Sequence, residues 1–189
     1  MMQNVAVFCG SSIGKDHIYL ESAEQLGREL AVHGKTLIYG GAQVGCMGAI
    51  ANATLENGGQ AIGVIPQKLK DVEIAHENLT KLYIVNSMHE RKEKMEKLAN
   101  GFIALPGGAG TLEELFEVFT WAQLGYHKKP CGLLNVNGFF EPLLSMLDYI
   151  ISQEFMKSEY KELFIVDSDP ERLLKRMDSY QPTVLAKWS

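Results

Sequence analysis

Seven short apolar runs, each separated from the next by a connecting or helix-length segment, constrain this chain more than any other feature. The runs are Val5–Cys9, Thr36–Tyr39, Ala61–Ile65, Leu82–Val85, Phe102–Leu105, Gly132–Val136 and Leu163–Val166. They are rich in β-branched residues and nearly continuous in hydrophobicity, as strands buried on both faces are. Helical patterns occupy roughly 15–33, 46–57, 88–99, 112–124, 139–154 and 170–178. This alternation predicts an α/β fold: a doubly wound parallel sheet with helices on both faces. The 189 residues show no composition break, low-complexity stretch or repeat, so residues 1–189 read as a single domain. Gln67–Lys81 is the longest connection without clear periodicity. It is either a functional loop or a surface excursion.

The formal net charge is −5. Such a chain does not attract nucleic acid or an anionic membrane in bulk, so any anion must be held by a local device. No apolar run approaches the ~20 residues of a membrane span. The opening stretch MMQNVAVFCGSS has too short an apolar core and no basic segment for a signal peptide. Cys9, Cys46 and Cys131 are scattered, with no CxxC pair, which suits a reducing compartment. A cytoplasmic protein is expected, without membrane or nucleic-acid partners. His17, His33, His76, His89 and His127 share no metal-ligand spacing, so neither a metal nor a cofactor is expected.

The local device is suggested by three turns. In a parallel sheet every strand-to-helix turn lies at the carboxyl edge, where ligands bind. Three of these turns are built from small residues: Cys9-Gly10-Ser11-Ser12, Gly40-Gly41-Ala42-Gln43-Val44-Gly45, and Pro106-Gly107-Gly108-Ala109-Gly110. Glycine lets a ligand approach the backbone, and the helix that follows offers free N–H groups with a partial positive charge. One such turn can equally be tight packing. Three on one edge point to a nucleotide or sugar phosphate. No GxGxxG follows the first strand, and no GxxxxGK[ST] occurs.

Two charged residues stand out by position. Thr111-Leu112-Glu113-Glu114 fits a capping box, as do Ser87-Met88-His89-Glu90 and Ser168-Asp169-Pro170-Glu171. Capping alone would account for Glu114. Yet at 100° per residue Leu112, Leu115, Phe116, Phe119 and Ala122 form one apolar stripe. Glu114 aligns with Val118 and Trp121 on a second, which would face another element or another subunit. A carboxylate between a glycine cradle and an apolar cover suits acid–base work. Arg91 falls inside the narrow stripe of Met88, Met95, Leu98 and Ala99, with Lys92 at its border. Its stem packs while its head reaches water, or its guanidinium is partly buried and needs an anion.

Met88-His89-Glu90-Arg91-Lys92, followed by Pro106-Gly107-Gly108-Ala109-Gly110-Thr111-Leu112-Glu113-Glu114, closely resembles the paired motifs of the Lonely Guy family. These are cytokinin riboside 5′-monophosphate phosphoribohydrolases, whose relatives also carry the label lysine decarboxylase. The likeness extends to Phe8–Ser12, Tyr39–Gly41, Gly63–Pro66, Thr120–Gly125 and Gly132–Val136. It implies a Rossmann-like homodimer that hydrolyses the N-glycosidic bond of AMP-type nucleotides to a free base and ribose 5-phosphate. The family's catalytic pair falls on Arg91 and Glu114. Its substrate contacts fall on Glu73, Arg91, Lys92, Gly108, Ala109, Gly110, Thr111, Leu112, Glu113, Glu114 and Thr120. To these the glycine-turn argument adds Gly10, Ser11, Ser12, Gly40 and Gly41. Ala109 and Ala42 depart from the pattern of many relatives and sit in the cradles. No second carboxylate stands out as an acid. No lysine sits in a recognisable pyridoxal-phosphate motif, which argues against a decarboxylase. A non-catalytic nucleotide or cofactor carrier on the same fold is the alternative.

Overall fold

A computed structural model of the chain describes residues 2–70 and 75–182. The strands are β1 (Asn4–Phe8), β2 (Thr36–Tyr39), β3 (Gln60–Pro66), β4 (Lys81–Val85), β5 (Gly101–Ala104), β6 (Cys131–Leu134) and β7 (Phe164–Asp167). The helices are α1 (Ile18–Val32), α2 (Gly45–Glu56), α3 (Gln67–Lys70), α4 (Met88–Leu98), α5 (Ala109–Gln123), α6 (Glu141–Ser152) and α7 (Pro170–Asp178). All seven strands pair in parallel in one sheet, in the order β4-β3-β2-β1-β5-β6-β7. The doubly wound α/β expectation is met. Every expected strand and helix is present, with ends displaced by a few residues.

The sheet's hydrophobicity explains its two covers. Val5, Val7, Leu37 and Ile103 point to one side, where Leu26 and Leu30 of α1, Ile50 of α2 and Leu173 of α7 bury them. Ala6, Phe8, Ile38 and Phe102 point to the other, against Met95 of α4, Leu115 and Phe119 of α5 and Leu147 of α6. Successive side chains of β1 thus alternate between two cores, the period of two that a strand imposes. Helices α1 and α2 approach closely at Gly27, where a Cβ would stand 2.6 Å from the Ile50 carbonyl oxygen.

Three local readings are corrected. The helix at 170 is capped by Asp169, whose carboxylate accepts from the Arg172 N–H at 2.8 Å; Ser168 is not the cap. Pro170 then occupies the first helical position, where its missing N–H costs nothing. The Ser87 box forms by half: Ser87 Oγ accepts from the Glu90 N–H at 3.1 Å, but the Glu90 carboxylate reaches past the cap residue and accepts from the Asn86 N–H at 2.8 Å. The connection from Gln67 to Lys81 is not structureless. It opens with α3, and Ala75 bridges back to Ala42 while His76 N–H donates to the Gly41 carbonyl at 2.9 Å.

At the sheet's amino edge, Lys35 is only 4% exposed, and its ammonium donates to both Asp178 carboxylate oxygens, at 2.7 and 2.9 Å, and to the Met2 carbonyl at 2.8 Å. This clasp ties the end of α7 to the start of the sheet. Removing one partner strands the other charge. Asp178→Ala is expected to lower the unfolding free energy by about 3 kcal/mol in urea titrations. A loss under about 1 kcal/mol, the scale of an exposed pair, would show that the clasp is solvated.

Candidate active site

The strand order reverses between β1 and β5, because β1 connects outward to β2 while β5 begins the opposite half. A crevice opens at the carboxyl ends of such strands. The first and third small-residue turns line this crevice, the second turn adjoins it, and each is locked by contacts that only glycine allows. A Cβ on Gly107 would stand 2.2 Å from Thr111 Oγ1 and 2.9 Å from the Gly10 nitrogen. One on Gly45, at φ +59°, would stand 2.3 Å from the Ser11 carbonyl. By contrast, a Cβ on Gly108 or Gly110 would meet nothing within 4 Å. The first two glycines therefore serve packing, and the last two front open space.

That space is a cavity of about 370 Å³. Gly10, Ser11, Gly40, Arg91, the run Gly108 to Thr111, Glu113 and Glu114 all border it. Helix α5 begins at Ala109 with Gly108 as its cap residue, so Thr111 is the third helical residue and does not cap. The capping-box account of Glu114 fails for that reason. Instead Glu114 is 9% exposed and faces Arg91, which is 6% exposed, with Nη2 to Oε1 at 3.8 Å. Arg91 does not snorkel. Met95, one turn on, anchors α4 in the core, and the Ser87 cap fixes the first turn. The guanidinium lies where a side chain at residue 40 would be: a Cβ on Gly40 would stand 2.0 Å from Nη2. Arg91 Nε is buried without a hydrogen-bond partner among the described residues.

Other expected positions fall elsewhere. Ser12 borders a second cavity of about 490 Å³ that shares Gly10, Ser11 and Gly108 with the first. Gly41 turns away, packed on Ile65 and Leu82. Lys92 pairs with Glu113 at 2.5 Å and Glu117 at 3.0 Å. Leu112 is half-buried, and Thr120 is exposed two turns beyond the cavity. Glu73 lies outside the described residues. The expected second apolar stripe is also corrected. Val118 is 3% exposed, inside the core that Leu115 and Phe119 share, with Trp121 packed against it. Helix α5 presents one broad inward face: Thr111, Glu114, Leu115, Val118 and Phe119 are buried, and Leu112, Phe116 and Trp121 are half-buried at its margins, packed against the same core. Wheel arithmetic sets Glu114 beside Val118 on an apolar side but divides this face into two stripes.

Cys9, Met47, Leu69 and Met88 also border the cavity, and sequence reasoning missed them as site residues. Cys9 had one usable signal, its place just before Gly10 at the end of β1. Burial pushes the Cys9 thiol well above its ordinary value, so it is no thiolate.

Burial also pushes the Glu114 carboxyl up from an ordinary 4.5 to about 7; Arg91 opposes the shift and Glu113 adds to it. A carboxyl whose folded value lies above its unfolded value favours the fold when protonated. That stability is complete below about pH 4.5 and is lost as pH rises through about 7. Glu114→Gln is therefore expected to gain on the wild type by on the order of 2 kcal/mol between about pH 5 and about pH 8. Unfolding titrations at the two pH values measure it. A constant difference would mean that Glu114 titrates normally.

With this geometry in view, comparisons with known proteins are informative. The model of the family described as "Possible lysine decarboxylase" matches residues 47–177. The cytokinin riboside 5′-monophosphate phosphoribohydrolase LOG of rice (Oryza sativa subsp. japonica) is 44% identical over 180 residues, 95% of this chain and 74% of that protein. The cytokinin riboside 5′-monophosphate phosphoribohydrolase LOG5 of Arabidopsis thaliana is 43% identical over 188 residues, 98% of this chain and 82% of that protein. Among solved structures, the molybdenum cofactor carrier protein of Chlamydomonas reinhardtii superposes with a TM-score of 0.69 at 21% identity, covering 95% of this chain and 100% of that one. That likeness is one of fold. The sequence matches span the strands, the glycine turns and the α4–α5 pair together, and on them this chain belongs to the Lonely Guy family, the family of the cytokinin riboside 5′-monophosphate phosphoribohydrolases.

Proposed function

We propose that this protein hydrolyses the N-glycosidic bond of AMP or an N6-substituted AMP, releasing the adenine-type base and ribose 5-phosphate. The observation that carries the reading is the buried Arg91–Glu114 pair at 3.8 Å on the wall of the glycine-turn cavity. A separation beyond hydrogen-bonding distance leaves each group capacity for a ligand. The relatives' names describe the same chemistry.

The residues divide the work as follows. The backbone N–H groups of Gly108, Ala109 and Gly110 open α5 and receive the 5′-phosphate, which the chain's net charge would otherwise repel. Arg91 orients the nucleotide and offsets its negative charge. The C1′–N9 bond breaks with its electron pair going to the purine, and positive charge grows on the sugar. The Glu114 carboxylate faces that charge and takes a proton from the water that adds to C1′. A purine ring nitrogen takes a proton from solvent, which neutralises the leaving base, and Glu114 returns the water's proton to solvent, so that one water is consumed overall. With a carboxyl value near 7, Glu114 is part-ionised at neutral pH, and turnover should rise as pH increases through that region.

The test is incubation with AMP and with an N6-alkylated AMP, followed by chromatography of the free base. Glu114→Gln should lower kcat by about 1000-fold and Arg91→Ala should lower kcat/KM by about 100-fold or more. Gly40→Ala should follow Arg91→Ala, because the added methyl occupies the guanidinium's place. Binding of nucleotide without base release by the wild type would establish a carrier instead.

A homodimer completes the reading, in keeping with the family resemblance. Leu112, Phe116 and Thr120 share a stripe at the margin of the buried face of α5, where Leu112 and Phe116 pack on the core and keep enough exposed apolar surface to suit a partner. A partner's cavity is also where the exposed Thr120 could meet a nucleotide. Phe116→Glu should yield monomers in sedimentation and reduced turnover; a dimeric, active variant would show that this stripe meets solvent. Three free, buried cysteines are in keeping with a cytoplasmic protein.

A further inference from the structure

The connection from β3 to β4 is tied down at its far end by one side chain. His76 is 3% exposed, and its backbone N–H and both ring nitrogens are engaged. The backbone N–H donates to the Gly41 carbonyl at 2.9 Å. Ring Nδ1 lies 3.2 Å from the Asn78 backbone nitrogen, and Nε2 lies 2.9 Å from Asn52 Oδ1 on α2. A backbone N–H can only donate, so Nδ1 must accept, and the single proton of a neutral ring sits on Nε2, facing Asn52. A second proton would set a donor on Nδ1 against the Asn78 N–H, and that contact would be lost. Ala75 closes the same limb: its N–H donates to the Lys70 carbonyl at 3.2 Å, and it bridges to Ala42.

These contacts converge on the wall of the site. Gly41 follows Gly40, where the absence of a side chain makes room for the Arg91 guanidinium. Leu69, which borders the cavity, comes just before Lys70. We propose that His76 is a positioning residue for Arg91 and Leu69: as a neutral imidazole it pins the β3–β4 connection to the second glycine turn, and a second ring proton releases the pin. The polar partners of His76 are uncharged: the Asn52 amide from α2, the Asn78 N–H of the connection itself, and the Gly41 carbonyl of the turn. Glu77, beside it in the chain, is exposed. Burial holds the ring's pKa below its ordinary 6.5. A ring held below its unfolded value favours the fold while neutral. That stability is present above about pH 6.5 and is lost as pH falls through the folded value.

The kinetic arm of the test rests on the proposed hydrolysis; the NMR arm does not. The variants are His76→Leu, His76→Asn and Asn52→Asp. In His76→Asn the side-chain oxygen can still accept from the Asn78 N–H, two residues on, and it does not titrate. Asn52→Asp sets a carboxylate against Nε2, which should raise the ring's midpoint by roughly one pH unit. NMR follows three signals from about pH 8 to about pH 5. They are the imidazole nitrogens, the protection of the Asn78 N–H against hydrogen exchange, and the Arg91 Nε–H, which is buried without a hydrogen-bond partner among the described residues. The titrations are made in the Glu114→Gln background, where the cavity carboxyl no longer titrates. All three signals should change at one midpoint below 6.5, and Asn52→Asp should carry them upward together. His76→Asn should keep the Asn78 N–H protected throughout. With AMP and Glu114 intact, His76→Leu should lower kcat/KM about tenfold, and His76→Asn by no more than about threefold. Asn52→Asp keeps the proposal testable should His76→Leu fail to fold. An Arg91 signal that stays put while the ring titrates would confine His76 to its own loop and overturn the proposal. A ring that titrates at its ordinary value and does not respond to Asn52→Asp would overturn it equally. If the wild type releases no base from either nucleotide, the hydrolase reading falls, and the NMR titration still decides what His76 does.

Discussion

Two opposite charges buried at the point where the strand order reverses constrain everything around them. Burying either one alone would be costly, and burying both is tolerable only while they stay close. Arg91 and Glu114 come from different helices, so α4 and α5 must be held in fixed relation at their first turns. The Ser87 cap, the Met95 anchor and the Lys92 bridge each serve that end from α4. On the α5 side the helix buries a carboxylate beside Leu115 and Val118.

The glycines follow from the same constraint. Gly40 is small because the guanidinium lies against it, and Gly107 because Thr111 and the first turn crowd it. These contacts are internal to the protein, and they set the cavity's shape. Gly108 and Gly110 have no such neighbours, so their smallness keeps the approach to the α5 N-terminus clear. An acidic chain thereby acquires one spot suited to an anion, next to a carboxyl whose protonation is balanced near neutrality.

The likeness to molybdenum cofactor carrier proteins shows how little the fold itself decides. A doubly wound sheet with glycine turns at its carboxyl edge will cradle an anionic ligand of several kinds. Chemistry depends on what borders the cradle, and here that is the buried Arg91–Glu114 pair together with apolar side chains of Met47, Leu69 and Met88.

The order of elements, the parallel sheet and the sheet edge that carries the cavity were legible in the residues, because hydrophobic period and turn chemistry are local properties. So was the oddity of Arg91, a charge within an apolar stripe. The full inward face of α5 was not legible. Its sequence offers two apolar sides, Leu112–Phe116 and Val118–Trp121, and the structure packs both against one core. Only packing joins them, and burying Val118 also brings Glu114 to Arg91 and Thr111 to Gly107. The cap of that helix was equally hidden: Thr111 has the right chemistry, but the Gly108 backbone lets the helix start earlier. Nor did Lys92, read along the chain, reveal its partners, because Glu113 and Glu117 lie more than twenty residues away and meet it only once two helices have docked.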